Sequence, residues 1–306
     1  MSTKQGSSSK VPFTQSLITS PFWLIMVLQV FISGMYLMVK GTVVTANVGL
    51  IFAAMIFLFL TLFGLKFLDH FKVQKSSFQL DCTSYVIGIF VVMAMLGITS
   101  AAQSVIAPAS VTAQVSGTPF MPSFLNMGNM ALMDMVTPNL NRFEELWLNT
   151  VGAPIAEEMG YTIGIPAMLA LIFAGLAWSF PSLKPIFTNK YIQIAVFILV
   201  CAPLFAYTHV GRQGLIDFFI SALVFRSIII LAVYGDMMLN LIPYATIVAS
   251  FAIGYHTGYN VFSYVGFNIG SYISVMATEP LGMMVLGINA LFFTVAGWHV
   301  FEKLTH

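Results

Sequence analysis

The sequence predicts an all-α protein that crosses a membrane several times, and two observations lead to this prediction. Of its 306 residues, 58% are hydrophobic and only 8% are charged, whereas soluble domains carry roughly 25% charged residues. The hydrophobic residues also fall into runs of about 18 or more, the length that a helix needs to cross a hydrocarbon core. Because a spanning backbone must satisfy its own hydrogen bonds and the runs show no strand-like alternation, we expect a polytopic bundle of helices.

Eight such runs predict eight transmembrane helices in a single domain over residues 21–306. They follow a polar, Ser-rich segment, residues 1–20, which we expect to be a disordered tail. The predicted spans are 22–39, 42–67, 84–106, 145–178, 191–209, 214–235, 241–262 and 282–301. Since the fourth run is too long for one straight crossing, we expect an amphipathic start on the membrane surface over 142–148 and a bend near Pro154.

The distribution of Lys and Arg predicts the orientation of the bundle. Eight of these residues fall on one side of the predicted bundle and three on the other. Because cytoplasmic loops carry the excess of positive charge, both termini are predicted to be cytoplasmic. The connection 107–141 is then expected outside, lying on or dipping into the membrane surface. A net charge of +1 without a basic run argues against a nucleic-acid partner.

Ionisable residues inside the predicted spans are the candidates for function, because hydrocarbon tolerates them poorly. The three spans at issue carry, in order, Glu157 and Glu158, then His209, then His256 and Asn260. The predicted topology places all of them at a similar depth on the same side of the membrane. We therefore expect one shared site within the segment 145–262.

The spacing around the second histidine adds detail to this expectation. His256 and Asn260 are four residues apart, so they share one face of a helix. Gly254 and Gly258 flank the histidine and form a pair of small residues that permits close approach of a neighbouring helix. The sequence therefore predicts that this helix packs tightly against a partner.

These three motifs resemble those of the CAAX protease and bacteriocin-processing family of intramembrane endopeptidases, which includes the Ras-converting CAAX prenyl endopeptidases. The family pattern is EExxxR, FxxxH and HxxxN or HxxxD, on three helices of an eight-helix bundle. The matching residues of this chain are Glu157 and Glu158, Phe205 and His209, and His256 and Asn260. The resemblance covers residues 145–262 by motif and the whole chain by the number of predicted spans.

One position departs from the family pattern. The arginine of the first motif should fall at position 162, where this chain has Thr162. In the family that arginine supports the second glutamate, so Glu158 needs another partner, and Arg226 in the sixth span is the candidate. Otherwise Glu158 stays protonated or catalysis is impaired.

The resemblance implies hydrolysis of a peptide bond in a membrane-associated substrate. Glu157 would be the general base that activates a water, and His209 would hold that water or share its proton. His256 and Asn260 would donate hydrogen bonds to the developing oxyanion. This chemistry needs no metal, although a cluster of Glu157, His209 and His256 could bind zinc. The sequence contains no HExxH motif, which excludes a zincin helix.

Two other classes of function stay open. A non-catalytic relative could bind a peptide or lipid, or serve as an assembly or immunity factor, and Thr162 supports that alternative. A transporter would use the carboxylates as a proton relay, but it predicts acidic residues spread through the membrane rather than grouped at one depth. The predicted orientation also places the site toward the outer leaflet, which favours an exported or membrane-embedded peptide over a cytosolic prenylated one.

Overall fold

We describe the fold from a computed structural model. It describes residues 10–39, 48–106, 141–213, 216–235, 245–265 and 268–306. Helices make up nearly all of these ranges, in agreement with the predicted all-α class. Residues 1–9 of the predicted tail and residues 107–140 of the predicted surface loop lie outside the described residues.

One long helix overlaps each of the eight predicted spans, and shorter elements lie before and between these helices. The long helices are α2 (Pro21–Val39), α3 (Val48–Leu65), α4 (Phe78–Ile106), α5 (Arg142–Ser179), α7 (Lys190–Gln213), α8 (Ile216–Tyr234), α9 (Ala245–Val265) and α11 (Pro280–Thr305). The short elements are β1 (Lys10–Pro12), α1 (Phe13–Ile18), β2 (Lys72–Gln74), α6 (Lys184–Phe187) and α10 (Ile269–Met276), with 3-10 turns at Lys66–Leu68 and Pro181–Leu183.

The lengths and composition of these helices identify a membrane protein. Within the described ranges, four helices contain segments long and apolar enough to cross a membrane. They lie in α4, α5, α7 and α11, and shorter apolar segments occur in α2, α3 and α8. The total of eight crossings and the cytoplasmic location of both termini stay predictions.

The prediction of a disordered tail is wrong for residues 10–20. Strand β1 pairs antiparallel with β2, and α1 follows it directly. Phe13 is buried and stacks on Tyr234 with ring centroids 5.5 Å apart. Ser20 is buried and donates a hydrogen bond to Asp81. The segment folds because burial of Phe13 adds apolar area to the core, which stabilises the fold. The polar composition of the surrounding Ser and Lys residues gave no indication of this burial.

Helix α5 changes its winding twice along its length. Its α-helical segments are Arg142–Trp147, Ala153–Met159 and Ile165–Ser179, and π-helical turns cover Leu148–Gly152 and Gly160–Gly164. Pro154 and Pro166 each follow one π turn. A proline ring clashes with the carbonyl of the preceding turn, and local changes in helical winding are one way to accommodate it. The irregularity expected near Pro154 therefore takes the form of two π turns that flank Glu157 and Glu158.

The start of α5 is amphipathic, as predicted for 142–148, because Arg142 and Glu145 are exposed while the other residues of this segment are largely buried. Its location on the membrane surface stays a prediction. Asn141 caps the helix, because its side chain accepts from the Glu144 amide and the Glu144 carboxylate accepts from the Asn141 amide, both at 2.9 Å. Phe143 and Trp147 are buried. Helix α10 and the first turn of α11 cover this end of α5, and the sequence pattern alone does not reveal that cover.

Helices α4 and α9 approach each other closely at glycines. Gly254 lies directly against the backbone carbonyl of Tyr85, and a Cβ atom at Gly258 would lie 3.0 Å from the Cα atom of Ile89. Gly88 contributes a matching gap on α4. The predicted small-residue contact is therefore confirmed. Because His256 lies between Gly254 and Gly258, this contact also fixes its position along the bundle relative to α4.

Candidate functional site

The adjacent glutamates of α5 lie in different surroundings. The side chain of Glu158 is 1% exposed and that of Glu157 is 29% exposed. Successive residues on a helix differ in direction by roughly 100°. One carboxylate is therefore enclosed by neighbouring helices, while the other reaches an accessible space.

A buried arginine from α8 holds the enclosed carboxylate. Arg226 Nη2 donates to Glu158 Oε1 at 2.6 Å, and Nη1 donates to Oε2 at 2.7 Å. This is the bidentate geometry, in which two parallel N–H···O hydrogen bonds give a strong and specific guanidinium–carboxylate pair. The Arg226 side chain is 0% exposed. The prediction that Arg226 is the partner of Glu158 is confirmed.

The threonine that departs from the family pattern also contacts this arginine. Arg226 Nη1 donates to the Thr162 hydroxyl at 2.7 Å, and the Tyr234 hydroxyl donates to the Thr162 carbonyl at 2.7 Å. Thr162 lies one turn after Glu158 on the same helix, so both face the guanidinium. The positive charge that the pattern expects at position 162 thus reaches Glu158 from a different helix.

Aromatic rings from two helices surround the guanidinium. The Arg226 Cζ atom lies 4.0 Å from the ring centroid of Phe205 and 5.8 Å from that of Tyr161. A guanidinium at such distances is attracted to the ring faces. The Phe205 ring also lies edge-on to His256, with centroids 6.2 Å apart. In the sequence Phe205 is recognisable only as part of a motif, and its contact with Arg226 depends on the tertiary structure.

His256 from α9 lies between the two glutamates. Its Nδ1 atom is 3.1 Å from Glu158 Oε1, and its Nε2 atom is 3.9 Å from Glu157 Oε2. An ionised carboxylate only accepts hydrogen bonds, so this network assigns the proton of a neutral imidazole to Nδ1. Nε2 then presents a lone pair toward Glu157, which suits His256 to accept a hydrogen bond there rather than to donate one to an oxyanion.

Asn260 connects α9 to the first π turn of α5. Its Nδ2 atom donates to the backbone carbonyl of Asn149 at 2.6 Å. A π turn interrupts the regular ladder of backbone hydrogen bonds. One N–H of the Asn260 amide remains for a further acceptor, because the group carries two. The expectation that His256 and Asn260 share one face of their helix is confirmed, because both side chains contact α5.

Zinc binding, the alternative to the metal-free site, is not tested by the structure. Among the residues that the structure describes, no group of three His, Cys, Asp or Glu side chains is arranged to hold a metal ion. Glu157 and His256 could supply two ligands of the expected set. The third residue, His209, lies in α7, and its side chain is outside the described part of the structure.

Comparison of the chain with protein-family models, curated proteins and solved structures finds no match. The family resemblance therefore depends on the three motifs. Their described members on α5 and α9 lie in contact, and Phe205 brings α7 to the same place.

Proposed function

We propose that the chain is an intramembrane endopeptidase of the type that its motifs resemble, with Glu157 as the general base. The different surroundings of the two adjacent glutamates support this proposal best. Arg226 binds both oxygens of Glu158, whereas Glu157 is 29% exposed and faces the imidazole of His256. The two carboxylates then have different roles, because Glu158 orients the histidine and Glu157 can exchange a proton.

The gap between Glu157 and His256 suits a nucleophilic water. Oε2 and Nε2 are 3.9 Å apart, too far for a direct hydrogen bond. Glu157 Oε2 is enclosed in this structure, so a water reaches it once the carboxylate turns. That water would donate one O–H to each atom, since two hydrogen bonds of about 2.8 Å span such a distance. Both atoms are then acceptors, so the water's lone pairs stay directed away from them and toward a substrate carbonyl.

The reaction follows from this geometry. The water oxygen attacks the carbonyl carbon of the peptide bond, and Glu157 takes one proton from that water. The carbonyl oxygen becomes an oxyanion, for which the second N–H of Asn260 is a neutral donor. The C–N bond then breaks, and Glu157 passes its proton to the departing amine nitrogen. The products are a carboxylic acid and an amine.

Glu158 and Arg226 act as positioning residues in this mechanism. Glu158 Oε1 accepts from His256 Nδ1 at 3.1 Å, which selects the tautomer with a lone pair at Nε2. Arg226 keeps Glu158 ionised and oriented by occupying both of its oxygens. Loss of either residue is expected to change the direction and tautomer of the imidazole without removing the base.

The proposal is tested by incubating the purified protein in nanodiscs with a library of membrane-associated peptides and analysing the products by mass spectrometry. We expect cleavage by the unmodified chain and a loss of roughly 10²–10⁴-fold in Glu157→Gln, the range that general acid–base catalysis contributes. Glu145→Gln is the matched control, because Glu145 lies on the same helix and is exposed. It should cleave at the unmodified rate.

Two outcomes would overturn the proposal. Cleavage that survives in Glu157→Gln at the unmodified rate would exclude this glutamate as the base. The absence of cleavage by correctly folded protein would instead favour the non-catalytic alternative, in which Arg226 and Glu158 only tie α5 to α8. Metal analysis of the same samples, with and without a chelator, distinguishes a zinc-dependent reaction from the metal-free one proposed here.

A further inference from the structure

A cleft of about 400 Å³ opens at one end of the bundle, away from the glutamates. It lies where α3 leads into the 3-10 turn Lys66–Leu68 and where α6 leads into α7. One wall is apolar and comes mainly from α5, through Ala170, Phe173 and Ala174. Lys66, whose side chain is 83% exposed, and Lys190 also line the cleft and form its rim. The cleft therefore combines a basic rim with an apolar wall.

Positive charge is concentrated around this rim. The pairing of β1 with β2 brings Lys10 and Lys72 to the same end, close enough to repel Lys190 electrostatically. Asp69 lies beside Lys66, with Nζ and Oδ2 3.3 Å apart, and it also accepts from the Thr14 amide at 3.0 Å. An anionic ligand at this rim would reduce the mutual repulsion of these lysines.

Hydrogen bonds hold the floor of the cleft in place. His70 Nδ1 lies 2.7 Å from the Phe67 carbonyl oxygen, and His70 Nε2 lies 2.7 Å from Gln193 Oε1. Gln193 Nε2 donates to the carbonyl of Phe187 at 2.8 Å. These bonds join the segment after α3 to α6 and α7. The cleft is therefore formed before any ligand enters it, which lowers the entropic cost of binding.

We propose that this cleft binds the headgroup of an anionic phospholipid, with Lys66 and Lys190 at the phosphate and an acyl chain along α5. Basic pockets between membrane helices recognise such headgroups, since the lysines supply charge at the level where the hydrocarbon core ends. The wall at Ala170, Phe173 and Ala174 offers the acyl chain an apolar surface. A free phosphate ion would use the lysines but would gain nothing from that wall.

The test is native mass spectrometry of the full chain, released from nanodiscs that contain phosphatidylglycerol and phosphatidylcholine in equal amounts. We expect the unmodified protein to retain at least about fivefold more phosphatidylglycerol than phosphatidylcholine, a ratio equivalent to about 1 kcal/mol. The double variant Lys66→Gln and Lys190→Gln should lose this preference. Lys184→Gln combined with Lys303→Gln is the control of equal charge change, because both of these lysines are exposed and neither lines the cleft.

A second variant separates a lipid from a free anion. Ala174→Phe fills space beside the apolar wall of the cleft and leaves both rim lysines in place. It should therefore lower lipid retention without changing the binding of inorganic phosphate. Equal retention of the two lipids by the unmodified protein would overturn the proposal. So would loss of the preference in the control pair, or displacement of the retained lipid by millimolar inorganic phosphate, which would identify a general anion site.

Discussion

Two buried carboxylates in this protein are stabilised by different means. Glu158 is held by the guanidinium of Arg226 and by an imidazole. Asp81 is 0% exposed and accepts from the hydroxyls of Ser20 and Ser76 at 2.8 Å and from that of Ser250 at 3.4 Å. The first carboxylate binds a guanidinium and an imidazole, whereas the second accepts hydrogen bonds from hydroxyls of three separate segments.

The difference indicates that Glu158 belongs to a group of oriented ionisable side chains, whereas Asp81 joins separate segments of the fold. Asp81 lies in the first turn of α4, where the N-terminal end of a helix favours negative charge. Its hydroxyl partners join the segment before α2, the connection before α4 and helix α9. Glu158 lies in the middle of a long helix and depends on a full opposite charge.

The largest expected effect comes from removing that opposite charge. Arg226→Met leaves the Glu158 carboxylate buried without its guanidinium, and breaking a buried ion pair in this way costs about 3–5 kcal/mol of unfolding free energy. The double variant Arg226→Met with Glu158→Gln should recover most of the loss, because no buried charge remains. Denaturant-induced unfolding in one detergent measures both values.

Arg142→Met controls for the loss of an arginine as such, since Arg142 is exposed at the start of α5. Its unfolding free energy should stay within about 0.5 kcal/mol of the unmodified value. If the single and double variants at Arg226 unfold at the same denaturant concentration, the ion pair is not what stabilises this part of the bundle.

A smaller loss is expected at the hydroxyl-bound carboxylate. Asp81→Ala removes the acceptor of buried hydroxyls and the negative charge in the first turn of α4, for a combined loss of about 2 kcal/mol. Asp81→Asn keeps one carbonyl oxygen and should lose about half as much. Thermal unfolding of the two variants ranks their stabilities. A lower stability of Asp81→Asn than of Asp81→Ala would contradict the role of Asp81 as an acceptor from the hydroxyls.

A third prediction concerns the hydroxyl beside the guanidinium. Thr162→Ala removes the acceptor of one Arg226 N–H, and we expect a loss of about 1 kcal/mol, typical of one buried hydrogen bond. Thr162→Ser keeps the hydroxyl and is the matched control. Unfolding measurements on this pair test the contact, and equal stabilities for Ala and Ser at this position would argue against it.

The smallest expected effect is a pH dependence at the basic end of the bundle. Burial lowers the pKa of the His70 imidazole from its ordinary value of 6.5, although hydrogen bonds to Phe67 and Gln193 oppose this in part. The folded chain therefore resists a proton that the unfolded chain accepts. Stability should be full above about pH 6.5 and should fall as the pH decreases toward the lowered folded-state pKa.

Thermal unfolding of the unmodified chain and of His70→Gln between pH 5 and pH 8 would detect this effect, with both pH limits chosen to bracket about 6.5. The variant should lose part of the acid-induced decrease. His306→Gln is the control, because His306 is fully on the surface at the C-terminus. A His306 variant with the same flattened profile would show that the decrease does not come from the buried imidazole.

Much of the architecture could be predicted because the bilayer imposes a length and a composition on every crossing segment. The same constraint makes ionisable residues rare inside crossing segments. Glu157, Glu158 and His256 could therefore be predicted as candidate site residues from the sequence. Arg226 could be chosen as a partner because a buried carboxylate requires one and the expected arginine at position 162 is absent. The glycine spacing on α9 predicted a close contact with a neighbouring helix, and the tertiary structure identified that neighbour as α4.

Other features could not be predicted because they depend on residues far apart in the chain. The contacts of Asp81 join positions up to 169 residues away. The burial of Phe13 depends on a strand pair and on Tyr234, while local composition predicted a disordered tail. The π turns and the donation from Asn260 to the Asn149 carbonyl need the precise packing of α5 against α9.

The sequence by itself determined that the chain is a helical membrane protein and which polar residues are placed to meet inside it. Hydrophobic length and the energetic penalty on buried charge suffice for that. The tertiary structure decided which of the adjacent glutamates is enclosed, how the guanidinium of Arg226 is oriented toward it and which nitrogen of His256 faces the other glutamate. Those choices depend on distances of 2.6 to 3.9 Å between side chains of three helices, and no pattern along a single chain specifies them.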